Sequence, residues 1–290
     1  MSYLLLLLYA AVAVVYAVHF ARRGTTTGRT ATTLLLAAAL VHTFSIAAQT
    51  VGASDPMASA SLRAISMFVW LLALSYLYLE ITTNERAMGV FILPIVVSLQ
   101  AIPTFFSGDA SPNPVLQSNW FWIHMASLLF AYASFAIAGV LGLIYVLQFK
   151  EIKKKHLGYF YTRLPSLQIL DAMNSRAVTI GLVFLTIGVV VGIVWTLQAR
   201  PEYPGNSNLA KIGLADPKVF ISVLTWVMYL FAVLARRTLG WAGRRAAWLS
   251  AVGFVIVLLN FLAVTYFIET SHTFNKQTRS LTTVSLAVTA

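Results

Sequence analysis

The sequence predicts an all-α, polytopic membrane bundle, and three observations carry that prediction. Hydrophobic residues make up 59% of the 290 and charged residues only 10%. The apolar residues gather in eight long runs, each near the ~20 residues that a hydrocarbon core of ~30 Å requires. The basic residues sit in the short connections between those runs and favour one side.

In chain order, the predicted spans are Ser2 to Ala21, Thr32 to Gly52, Leu62 to Ile81 and Ala87 to Phe106, then Asn119 to Phe149, Ser175 to Ala199, Pro217 to Ala235 and Arg245 to Glu269. Arg22, Arg23 and Arg29 follow the first span and Arg86 follows the third. Six more basic residues lie between Lys150 and Arg176, and Arg236, Arg237, Arg244 and Arg245 follow the seventh span. These fourteen share one side, against six on the other: Arg63, Arg200, Lys211, Lys218, Lys276 and Arg279. Basic residues stay on the inner side of a membrane, so both termini should face outside. The same distribution accounts for the net charge of +11 without a nucleic-acid surface, because no single face collects the charge.

No basic residue precedes the first span and two follow it, the reverse of a secretory signal, so it should remain as an uncleaved anchor. The longest inner connection, Lys150 to Asp171, is basic at its start and amphipathic at its end. It separates two halves of the chain, an N-terminal four-helix part over 1–118 and a second membrane part over 119–274. The tail over 275–290 is rich in Thr and Ser and has no helical period. Two outer connections, Ser107 to Ser118 and Arg200 to Asp216, have the Pro, Gly, Asn and Ser content of irregular segments that can cover a site.

In so apolar a chain the polar residues near the membrane carry the chemical information. His124, in NWFWIHMASLLFAY, lies about one turn inside the outer boundary beside Trp120 and Trp122. His272, in FIETSHTF, follows the last span at the same outer edge. A neutral imidazole at either position can give a lone pair to iron. A hydrogen-bonded histidine in an interfacial aromatic belt, or a solvated loop histidine, accounts for each one taken alone. His42 falls near the midplane of the second span, and His42, Ser45 and Gln49 form one polar stripe at i, i+3, i+7. Polar groups at that depth face a bundle interior, a cavity or a substrate path. The stripe fits a second iron ligand or transit site, and it fits interhelical hydrogen bonding equally. Gly181, Gly188, Gly192 and Trp195 share one face of the sixth span, a pattern that admits a neighbouring helix or a flat cofactor. Asp216 followed by Pro217 is a standard helix start.

Taken in order, WIHMASLLFAYASFAIAGVLGLIYVLQ, LPSLQILDAMNSRAVTIGLVFLTIGVVVGIVW, ADPK, GWAGRRAAWLSAVGF and SHTF resemble the cytochrome c assembly protein family, the CcsA, CcmC and HemX-like membrane proteins that handle heme. The resemblance runs from about Trp120 to Phe274, while the first four spans match in character alone, and it is nearest the shorter HemX-like branch. It implies a non-covalent heme b at the outer face of a bacterial inner membrane, ligated by His124 and His272, and the His42 stripe described above offers a second site. Trp120, Trp122, Trp195 and Asp216 would line it, and Arg200, Lys211 or Lys218 would meet the propionates. The family's tryptophan-rich stretch ending in W-x-W-D-P-K reads YPGNSNLAKIGLADPK here, so Asp216 to Lys218 remain and the preceding tryptophans are absent.

The chain contains no cysteine, so thiolate ligands and covalent heme attachment through C-x-x-C-H are excluded. No nucleophilic triad, phosphate-binding glycine loop or H-E-x-x-H motif is present, and the chain is read as a heme conduit or chaperone, not an enzyme. Its expected partners are heme, the lipid bilayer and other cytochrome c assembly subunits, with no nucleic acid. Two further readings stand beside this one. One is a HemX-like regulatory scaffold whose basic inner loop docks a cytoplasmic enzyme of tetrapyrrole synthesis. The other is a small-solute transporter centred on His42, Ser45 and Gln49, with the broken helix around Pro94, Gln100 and Pro103; against it, intramembrane acids suited to ion coupling are missing.

Overall fold

The computed structural model describes residues 1–51, 60–106, 118–155, 158, 161–206, 209, 211–213 and 216–266. Among them are eight α-helices: α1 (Ser2–Arg22), α2 (Thr25–Val51), α3 (Ala60–Thr83), α4 (Gly89–Phe105), α5 (Asn119–Lys153), α6 (Leu167–Glu202), α7 (Pro217–Thr238) and α8 (Arg244–Tyr266). They follow the eight predicted spans. Six of them, α1, α2, α3, α5, α6 and α7, are long and apolar enough to cross a membrane, and α4 is a shorter apolar helix of 17 residues. The protein is a multi-pass helical membrane bundle. The tail over 275–290 and most of the outer connection from Ser107 lie outside the described residues.

Several helices outrun their predicted spans, and the reason is local hydrogen bonding that hydropathy does not register. α2 begins at Thr25, seven residues early, through a threonine-rich stretch. There the Thr30 and Thr33 hydroxyls donate to the carbonyls of Thr26 and Arg29, one turn back. α6 begins at Leu167, eight residues early, because the Ser166 hydroxyl caps it by accepting from the Ile169 N–H. At ~1.5 Å per residue, α5 and α6 each run ~50 Å, well beyond a ~30 Å hydrocarbon core.

The outer surface of the bundle is apolar. On α7, Phe220, Leu224, Val227, Phe231 and Leu234 are all exposed at alternating spacings of four and three, a stripe that lies against lipid. Inside, α1 packs on α2 and α4, and α3 on α2 and α4. α5 forms the centre of the second half, packed on α6 and α8, and meets α3 of the first. One buried core runs through both halves. In it the rings of Phe135 and Tyr229 stack 3.6 Å apart at 2°, and Gly181 lies where a Cβ would strike Phe135.

At the inner end, arginines fasten helix termini. Arg163 donates to the Phe20 carbonyl near the end of α1, and Arg176 to the Thr82 carbonyl near the end of α3. A guanidinium at a helix C-terminus meets both an orphan carbonyl and the negative end of the helix dipole. Arg23 donates to the Thr162 carbonyl and Gln148 to that of Pro165, so the second part of the inner connection is tied to the bundle. Asp171 on α6 takes both Arg236 Nη1 and Nη2 of α7, at 3.0 and 2.6 Å, and also accepts from the Gly243 N–H just before α8. Replacing Asp171 with Ala removes all three bonds. The expected loss is about 2 kcal/mol of stability, read as a lower unfolding midpoint of the detergent-purified protein, with Asp171→Asn losing less.

Candidate functional site

His124 lies in the second turn of α5, half-buried, with its ring against α6. Gly188 and Gly192 make that approach possible. A Cβ on Gly192 would come within 2.6 Å of the His124 Cε1 and Nδ1, so only a glycine leaves room for the imidazole. His124 Nδ1 lies 2.7 Å from the Gly188 carbonyl oxygen. A carbonyl only accepts, so Nδ1 carries the hydrogen, and in the neutral ring Nε2 is the nitrogen with the lone pair. Metal-binding histidines are oriented in this way, the far nitrogen fixed by a backbone carbonyl.

Aromatic side chains surround this imidazole. Trp195 is buried, its ring stacked near His124 with centroids 6.3 Å apart at 15°. Phe121 bridges from Trp195, at 5.3 Å, to Trp122, at 5.8 Å. Trp120 and Trp122 are exposed at the outer end of α5 and present flat apolar faces outward. Trp195, Ala199 and Leu209 form a small core with Phe121, Tyr203 and Ile212, separate from the main one. Arg200 holds the segment beyond α6 over it, donating Nε to the Leu209 carbonyl and Nη2 to that of Ile212. The propionate-pairing role expected of Arg200 thus competes with a backbone clamp. Asp216 is buried and caps α7, its Oδ1 accepting from the N–H groups of Lys218 and Val219 at 2.9 and 3.4 Å. His272, the intended partner of His124, lies outside the described residues.

His42 is wholly buried, and both ring nitrogens have partners on other helices. Nδ1 pairs with the Tyr9 hydroxyl of α1 at 3.0 Å and Nε2 with the Ser66 hydroxyl of α3 at 3.0 Å. Gln49 donates to Ser45 at 3.2 Å. The stripe read from sequence therefore exists, and His42 in it joins three helices; to offer a nitrogen to a metal it would have to release one of those bonds.

Sequence reasoning did not single out one acid that the structure buries. Glu80, in the apolar run LLALSYLYLEI of α3, is buried at 1% exposure. The Tyr16 hydroxyl of α1 donates to its Oε2 and the Thr32 hydroxyl of α2 to its Oε1, both at 2.5 Å. Arg86 Nε donates to Thr32 at 3.0 Å and lies 3.8 Å from Oε1. A single acid so close to the basic Arg86 loop reads as an interfacial residue, and the signal that distinguishes it is Tyr16 on the facing helix, which a one-dimensional reading cannot pair with it. Among the described residues no group of three or more His, Cys, Asp or Glu side chains forms a metal cluster.

This is a membrane bundle that presents an oriented imidazole among tryptophans at one edge. The chain belongs to the cytochrome c assembly protein family, whose model matches residues 1–272 and so extends over the four N-terminal helices as well. It is similar to the cytochrome c biogenesis protein CcsA of Guillardia theta, 28% identical over 232 residues, covering 73% of this chain and 74% of that one. The CcsA of Chlamydomonas reinhardtii is 31% identical over 213 residues, 69% of this chain and 56% of its own length. That of Microcystis aeruginosa is 24% identical over 251 residues, 70% of this chain and 74% of its own.

Replacing Glu80 with Leu leaves the Tyr16 and Thr32 hydroxyls without their buried acceptor, at about 1–3 kcal/mol for each orphaned group. Glu80→Gln retains the shape and one acceptor oxygen. Thermal unfolding in detergent should rank wild type above Glu80→Gln and Glu80→Gln above Glu80→Leu; equal midpoints for all three would remove the pairing's structural importance.

Proposed function

We propose that this protein serves cytochrome c biogenesis by holding heme as a non-covalent cargo at the outer face of the membrane. His124 and His272 are its axial ligands in this reading. The observation that carries it is the bond from His124 Nδ1 to the Gly188 carbonyl, which leaves Nε2 as the lone-pair nitrogen on a ring locked against a glycine. The residues at hand suit a planar, apolar, iron-bearing molecule: exposed Trp120 and Trp122 offer ring faces, and Trp195 braces the imidazole from behind. Family membership and the names of the relatives support the part in cytochrome c biogenesis. The chain has no cysteine, so attachment is through histidine and shape alone.

Bound heme supplies an iron with two axial positions, and two histidines filling both favour holding or passing the heme over oxygen chemistry. The work of this chain is to orient the imidazole, keep its tautomer fixed and cover the apolar faces. The setting we infer is the cytoplasmic membrane of a bacterium, with partners among other assembly subunits. His42 enters only as a second station, since its bonds to Tyr9 and Ser66 would have to yield.

The test is the reduced-minus-oxidised spectrum of protein purified in detergent from heme-replete cells. The wild type should give a b-type spectrum, and the variant carrying His124→Ala and His272→Ala should lose it. A double variant that keeps the wild-type Soret band would refute the ligand assignment. Gly192→Val should perturb the same spectrum without touching either ligand, because its side chain occupies the space of the His124 ring, with the unfolding midpoint reporting whether the fold survives.

A further inference from the structure

At the inner end of the first half is a cavity of about 570 Å³ that none of the heme chemistry above uses. Among the described residues, four arginines line it, Arg23, Arg29, Arg86 and Arg163, together with His19, and the one lining acid is Glu85. Four guanidinium groups against one carboxylate leave the lining at a formal +3, with His19 neutral. Glu85 is itself committed, its Oε1 accepting from the Ala87 N–H at 2.9 Å.

The backbone adds to this field. Thr25, the first residue of α2, lines the cavity, as does Ser166, the N-cap of α6, and Ala87 lies two residues before the start of α4. Three helix N-termini therefore converge on a space already rich in arginine, and each contributes positive potential. Arg86 is met from the bundle interior by Glu80 at 3.8 Å, while Arg23 and Arg163 are held in place by the backbone carbonyls of Thr162 and Phe20. The exposed Arg29 guanidinium makes no hydrogen bond or ion pair to any described residue. Gly28 lets the floor close: a Cβ there would lie 2.8 Å from His19 and 2.9 Å from Arg86. Like charges collected at that density are stable only with an anion or ample water between them.

Position decides which anion. The cavity lies at the turn between Arg22, where the apolar run of α1 ends, and Thr25, where α2 begins, the depth of the lipid headgroups on the inner side. Phe20 and Ile169 contribute apolar walls beside the arginines, as an amphiphile requires and a free ion does not. Basic pockets between helices on this side of a membrane suit anionic headgroups. We propose that the cavity holds the phosphate headgroup of an anionic phospholipid of the inner leaflet.

The experiment uses the full chain, purified in detergent, and follows its unfolding midpoint against dioleoylphosphatidylglycerol, dioleoylphosphatidylcholine or sodium phosphate. The glycerol lipid should raise the midpoint saturably and well beyond the choline lipid. Arg29→Gln should weaken its apparent affinity about fivefold, the contribution of one arginine near a charged headgroup. Arg22→Gln, an inner-face arginine outside the cavity, should leave it unchanged. Equal responses of the wild type and Arg29→Gln, or equal weakening by Arg22→Gln, would reduce the effect to bulk attraction and overturn the site. A saturable rise with sodium phosphate and none with the glycerol lipid would overturn the lipid assignment in favour of a soluble anion. The lipid-free midpoint of each variant separates lost binding from lost folding.

Discussion

The close approach of α5 and α6 governs the second half of the molecule. In a bilayer, helices gain little by hiding apolar surface from one another, because lipid is as apolar as leucine; association depends on how closely the backbones fit. Gly181, Gly188 and Gly192 supply that fit along one face of α6, receiving Phe135, Leu128 and His124 in turn from α5. Phe135 then stacks on Tyr229 of α7, and Gly139 and Gly142 of α5 lie against Phe254 and Ala247 of α8. The same stripe that assembles the core thus ends, at the outer edge, in the imidazole of the candidate site. Packing and the candidate site share one set of small residues.

A second constraint is that polar groups within the bilayer must be satisfied inside the protein. Three buried polar residues meet it by joining different helices. His42 links α2 to α1 and α3, Glu80 links α3 to α1 and α2, and Asn174 of α6 donates to the Ala138 carbonyl of α5 while accepting from Ser250 of α8. Such bonds fix the rotational setting of helices whose apolar surfaces alone would tolerate several. The inner arginines do related work at the boundary: a residue class that sequence reading treats as a topological signal turns out to close helix ends as well.

The spans, the place of His124 near the start of its helix, the His42 stripe and the Asp216 cap were all legible in the sequence, because hydropathy, helical periodicity and capping are local properties. Helix ends were less legible, since threonine hydroxyls and a serine cap extend α2 and α6 through polar stretches that hydropathy reads as loop. Glu80 was missed for a different reason. Its burial depends on Tyr16 and Thr32, which are 64 and 48 residues away in the chain. The glycine face was visible as a pattern, and what it admits, a histidine ring with a defined tautomer, required the partner helix. The resemblance read from the second half extends, by the family match, over the first half as well.

The pairing of Asp171 with Arg236 has a consequence for how the chain is made. The two residues are 65 positions apart, and the third member of the cluster, Gly243, is 72 positions from Asp171. At a synthesis rate of about 5–20 residues per second, the carboxylate waits roughly 3–13 s for its guanidinium. During that interval α5 and α6 already exist and can zip along their glycines, while the inner end of α6 still carries an unanswered charge. The ion pair can then act as a completion latch, closed by the arrival of the third helix and absent from any product that stops short of it.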